Sequence, residues 1–165
     1  MTPDIQSRIS TLMASLSDVV IPAVNKESST AQEQAHLVLG SLAMMAQQVD
    51  FAHRSEVIGL RALVELAREL ANVTGQTPLP LFAAAEVSAA DPLTLTSDLR
   101  KQSQTIRSWI TELVENARAE QLKTIRKLIF AYEEEQNIRD RAWVAGTNFD
   151  VCPESLLTIE ESLSR

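Results

Sequence analysis

Cysteine, glycine and aromatic side chains are scarce in this chain. A single cysteine, Cys152, rules out an intrachain disulfide and a cysteine-based zinc site. Four glycines are too few for a Gly-rich phosphate loop, and none stands in a nucleophile elbow. Only 4% of residues are aromatic against 45% hydrophobic, so Leu, Ala, Val and Ile must build the core. Two histidines leave little material for a metal centre. No apolar run approaches the ~20 residues of a membrane span. The start, MTPDIQSRIS, lacks a basic region followed by an apolar stretch, which argues against a signal peptide. The expectation is a soluble, cytoplasmic protein.

The net charge of −7 argues against nucleic acid or an anionic membrane as partner of the whole surface. Between Arg100 and Arg141 basic residues slightly outnumber acids, but the two are interleaved. Low Gly and Pro with abundant Ala, Leu, Glu and Gln favours helix throughout a chain of 165 residues, enough for one domain with a real core.

Helical periodicity carries the rest. Thr2-Pro3-Asp4 reads as a helix start, followed by Ile5, Ile9, Leu12, Met13 and Leu16, and Pro22 kinks or ends that helix. Thr30-Ala31-Gln32-Glu33 has the capping-box pattern. From Ala31 to Arg54 two apolar stripes run along one expected helix: Ala31, Ala35, Val38, Leu42, Met45, Val49 and Ala52, then Leu37, Met44 and Phe51. Two stripes ask for two neighbours, so this segment is expected at the centre of the bundle. A third helix starts near Ser55, with Val57, Leu60, Leu63, Val64, Ala67, Leu70 and Ala71 on one face, and ends at Gly75. Thr77 to Thr96 reads as one long irregular connection, apolar, with a possible short helix over Leu81 to Glu86 and a turn from Ser88 to Pro92. An unbroken helix from Asp98 to Ala145 would be on the order of 70 Å long, so a break is expected between Asn116 and Gln121. After a turn at Gly146-Thr147-Asn148, Asp150 or Cys152 caps a short terminal helix opened by Pro153 and docked by Leu156, Leu157 and Leu163.

Several constellations resemble chemistry. Glu33-x-x-His36 and Asp50-x-x-His53 each place an acid and an imidazole on one helical face, as in di-iron bundles. On one helix the histidines stand about 25 Å apart and cannot share a site. His36 is expected at the surface and His53 in a structural hydrogen bond. Glu133-Glu134-Glu135 point in three directions and suit a solvated face. Cys152 has no base nearby in sequence. Arg118, Lys123, Arg126 and Lys127 form a basic cluster partly neutralised by Glu115 and Glu120. Trp109 flanks an apolar stripe, at the core edge or in a subunit contact; Trp143 is the second tryptophan. No catalytic residue and no metal ligand set is assigned, and no cofactor is expected.

A helix ending in Val20-Ile21-Pro22-Ala23, a capped helix with Leu37, Val38, Leu39, Leu42 and Ala43, and Leu60-Arg61-x-Leu63 on a third together form a pattern. It resembles small helical bacterial proteins of unknown function, whose genes often lie near acyl-CoA dehydrogenases and phosphotransferase-like kinases. The resemblance covers about the first 75 residues. It implies a helical bundle with an accessory role in acyl-CoA or related catabolism, and it supplies no catalytic residues.

The sequence therefore predicts a single all-α domain over residues 1–165, an up-and-down bundle of four main helices with a long apolar connection and a short C-terminal helix. The surplus of apolar surface predicts a homodimer or a protein partner. The expected function is non-catalytic and works through protein–protein interaction. One alternative is a binder of an apolar small molecule between helix two and the connection, with Met44, Met45, Phe51, Phe82 and Trp109 as lining residues. A second alternative is a metal-dependent enzyme using His36 or His53.

Overall fold

A computed structural model describes residues 4–77, 79–147 and 150–165. The described chain is all-helical: α1 (Ile5–Ser15), α2 (Ile21–Ala23), α3 (Ser29–Gln48), α4 (Ala52–Thr74), α5 (Pro80–Ala90), α6 (Thr96–Glu115), α7 (Ala119–Trp143) and α8 (Ile159–Ser162). Single 3₁₀ turns lie at Ala145–Thr147 and Pro153–Ser155. No described helix is long and apolar enough to cross a membrane.

The hub is α4, against which α5, α6 and α7 all pack. Its periodicity dictates this role. Leu60, Leu63, Val64, Ala67, Leu70 and Ala71 recur at helical spacing, and every one is buried. Leu66, just off that stripe, is buried as well, so α4 meets neighbours over a wide arc. The surrounding helices contribute Phe82, Ala85 and Ala89 from α5, Leu99, Ile106 and Leu113 from α6, and Ile125 and Tyr132 from α7. The four main helices of the bundle are thus α4 to α7, and the expected irregular connection is itself largely a helix. Pro80 opens it at a position where a missing N–H costs nothing. The helix runs on through Ser88 to Ala90, taking up the first part of the expected Ser88–Pro92 turn, because Phe82, Ala85 and Ala89 lie in one apolar row under α4 and α6.

Local chemistry sets the ends. Gly75 closes α4 with φ +71, and Gln76 N–H reaches back to the Ala71 carbonyl at 2.9 Å, closing a left-handed C-terminal cap. The expected break near 116–121 falls at Asn116–Arg118, with no Gly or Pro. Gln121 explains its sharpness. Its Oε1 accepts from the Arg118 N–H at 3.0 Å, and its Nε2 donates to the Val73 carbonyl at 3.0 Å. One buried amide caps the start of α7 and ties it to the end of α4.

The expected helix over Ala31–Arg54 is two helices, parted by a turn at Val49–Phe51. Its first part, α3, is not the centre of the bundle: no residue of α3 is buried. It pairs with α1 and α2 and touches the 3₁₀ turn after α7. The helix starts at Ser29 rather than on the Thr30–Glu33 box, since the turn before it is already organised. Asn25 Oδ1 accepts from the Glu27 N–H at 3.0 Å, and the Gln32 side chain donates to the Val24 carbonyl at 2.9 Å. Thr2 and Pro3, the expected start of the first helix, lie outside the described residues. Asp4 caps α1 instead, accepting from the Ser7 N–H at 2.6 Å. Pro22, which cannot donate, is accommodated by a π turn over Leu16–Val20, in which Ile21 N–H bonds the Leu16 carbonyl. The chain leaves the helix at Val24.

Candidate functional site

The α1–α3 hairpin is the one large part of the described chain that folds without making a core. Its sequence has a strict heptad form. On α1 and its π-turn extension, Ile5, Ile9, Leu12, Leu16 and Val19 are spaced alternately by four and three residues. On α3, Ala35, Val38, Leu42 and Met45, with Val49 just past its end, are spaced alternately by three and four. That spacing makes a coiled-coil seam, in which both alternating rows expect covering by partner helices. Pairing α1 with α3 covers only one row of each. Ile9 is buried at 5% exposure, and Leu16, Leu42 and Val49 are half-buried. The other row stays open: Ile5 is 62% exposed, Leu12 56%, Val19 66%, Val38 52% and Met45 52%.

Charge is sparse on this hairpin. Over residues 4–49 the charged side chains are Asp4, Arg8, Asp18, Lys26, Glu27 and Glu33, and none of them falls in the seam rows. The hairpin joins the core through few contacts at one end. Gln48 Nε2 donates to the Trp143 carbonyl at 2.9 Å, and Gly146 lies against Met44 and Gln47, where a Cβ would come 3.0 Å from Gln47 Oε1.

The five residues expected to line an apolar pocket fall in different places. Phe82 is fully buried, and Trp109 meets it edge-on, with ring centroids 5.0 Å apart at 79°. This pair belongs to the core. Met45 stands on the open row of α3, and Met44 packs on Gly146. Phe51 lines a shallow groove of about 620 Å³ with Leu156, Leu157 and Ile159 of the C-terminal segment.

The histidines also separate, onto α3 and α4. His36 is exposed beside Met13, Leu39 and Gly40. His53 Nε2 lies 3.1 Å from the Thr94 carbonyl, which can only accept, so that nitrogen carries the proton and pins the turn between α5 and α6. No group of three or more His, Cys, Asp or Glu side chains converges among the described residues. Glu133, Glu134 and Glu135 are exposed, as are Lys123, Arg126 and Lys127. Arg118 pairs with Glu120 at 3.3 Å. Cys152 is exposed. Its neighbour Asp150 makes a two-pronged ion pair with Arg141, both contacts 2.8 Å. The Arg141 guanidinium and the Cys152 N–H hold the Asp150 carboxyl down at about 2.

Sequence periodicity alone assigned the hairpin's stripes to the core. The same alternation of threes and fours runs through the buried α4 stripe (Leu60, Leu63, Ala67, Leu70), so spacing by itself does not separate the hairpin's stripes from core stripes. No known protein family, curated protein or solved structure matches the chain.

Proposed function

We propose that this protein works through helix–helix association, and that the α1–α3 hairpin is the element that associates. The observation that carries the reading is the half-covered seam: one row packed within the hairpin, the other open on both of its helices. The occupant that fits is a second copy of the same hairpin, completing a four-helix bundle about a twofold axis. A second copy presents the same spacing and the same open row, and no charge in the rows opposes contact.

The energetics are compatible. Covering a half-exposed aliphatic side chain contributes roughly 1 kcal/mol. Five such residues on each copy contribute about 10 kcal/mol for the pair. Association costs about 4–15 kcal/mol in lost freedom. The balance supports a reversible dimer that depends on the whole row. Light scattering on a sizing column tests it: the expected mass is twice the 18.2 kDa chain. A monomer at about 100 µM protein overturns the reading. No matching relative ties the chain to acyl-CoA catabolism, so that role has the resemblance of the first residues as its sole support.

A further inference from the structure

Away from the hairpin, α4, α6 and α7 leave a cleft of about 370 Å³ between them. Its charged lining is unusual for so acidic a chain. Arg100, Arg107 and Arg139 face it, against the carboxylates of Glu56 and Asp140. Arg100 is already held by Glu56 at 2.6 Å. The other two guanidiniums have no carboxylate within 4.0 Å among the described residues. Arg107 donates to the Tyr132 hydroxyl at 3.2 Å, and Arg139 donates to Gln136 Oε1 at 3.1 Å. Arg139 Nε is buried and has no hydrogen-bond partner. Asp140 accepts from the Gln136 side chain at 2.7 Å and leaves both arginines unpaired.

Both arginines line the same cleft. Burial pushes the Tyr132 hydroxyl up, the adjacent Arg107 guanidinium pulls it back, Glu133 pushes it up further and Arg139 lowers it more weakly. Arg107 is exposed at the cleft mouth, whereas Arg139 is half-buried, and its unpartnered Nε–H is costly to bury unless an acceptor joins it.

The cleft also has a cleared floor. Gly59 lies inside α4, where glycine costs about 1 kcal/mol relative to alanine. A Cβ at that position would meet nothing within 4 Å, so helix packing does not demand a glycine there. The space it leaves opens into the cleft. Leu60 and Trp143 supply apolar wall.

We infer that this cleft binds a small organic oxyanion, its carboxylate or phosphate held by Arg107 and Arg139 and its apolar part lying against Trp143. Guanidinium forks match either anion in two-pronged geometry.

Titration at constant ionic strength, followed by the two tryptophan indole N–H signals in a ¹H–¹⁵N spectrum, tests the inference. Benzoate and inorganic phosphate serve as the two probes. The Trp143 signal shifts saturably with one or both, while that of Trp109, away from the cleft, stays in place. Saturation by benzoate assigns a carboxylate with an apolar body; saturation by phosphate alone assigns a phosphate. Arg139→Gln weakens binding at least tenfold. Gly59→Leu fills the floor and abolishes binding; its Cβ meets nothing within 4 Å and leucine favours helix, so the variant keeps its helical circular dichroism. Three results overturn the inference: no saturation by either probe up to about 50 mM, equal shifts with chloride, or full binding by folded Gly59→Leu.

Discussion

Replacing Leu12 with glutamate puts a carboxylate in the middle of the open row of α1. In the single chain this side chain is 56% exposed and makes no core contact, so folding loses almost nothing. In a twofold dimer the change occurs twice. Lost burial amounts to about 2 kcal/mol for the two copies. Each carboxylate must also leave water beside apolar neighbours, at a further cost of about 1–3 kcal/mol. The sum exceeds about 3 kcal/mol, which weakens the dissociation constant by more than 100-fold. Sedimentation velocity over roughly 1–100 µM protein reads this directly. The wild-type chain sediments as a dimer and Leu12→Glu as a monomer, with circular dichroism and melting temperature unchanged. Val87→Glu, at a 71% exposed site on α5 outside the hairpin, remains dimeric. A folded Leu12→Glu that still dimerises refutes the seam as the contact.

Three further outcomes test the fold. Phe82→Ala empties the centre of the core and removes the partner of Trp109, so unfolding free energy drops by about 3–5 kcal/mol, measured by urea denaturation. Gln121→Leu deletes the cap of α7 and strands the Val73 carbonyl, at a cost of about 1–3 kcal/mol; an unchanged urea midpoint would remove Gln121 from its proposed role at that joint. The Asp150–Arg141 pair orders the segment before α8. Because the folded carboxyl lies at about 2, below its ordinary 3.8, its contribution is complete above about pH 4. It fades as pH falls through 2. The protection factor of the Cys152 amide, whose N–H donates to Asp150 at 2.9 Å, should fall over that window, and Asp150→Ala, which lacks the acceptor, should show low protection at every pH.

Local signals in the sequence were reliable where they were also physically local. The Gly75 cap and the α4 stripe depend on neighbours a few residues away, and each lies where the residues place it; the break at Asn116–Arg118 followed from helix length, and the Gln121–Val73 contact fixes it. The break at Val49–Phe51 carries no Gly or Pro, so nothing nearby announced it. The α3 start moved off the Thr30 box because Gln32 reaches Val24 across the preceding turn. Within the cleft, Arg107 and Arg139 are separated by thirty-odd positions and belong to different helices, and no spacing rule connects them. Gly59 carries no signal in the sequence for the same reason, since a helical glycine has meaning only through the space beside it.

By itself the sequence determined the all-α class, the helix faces and most of the stops, because periodicity and capping are properties of a single turn. Tertiary structure alone decided which apolar stripes are buried. A heptad row looks the same whether its partner is in the same chain or absent from it, and only the packing of α4 with α5, α6 and α7 left the α1–α3 seam half covered. It also decided that two distant arginines share one cleft, because their meeting depends on how three helices cross.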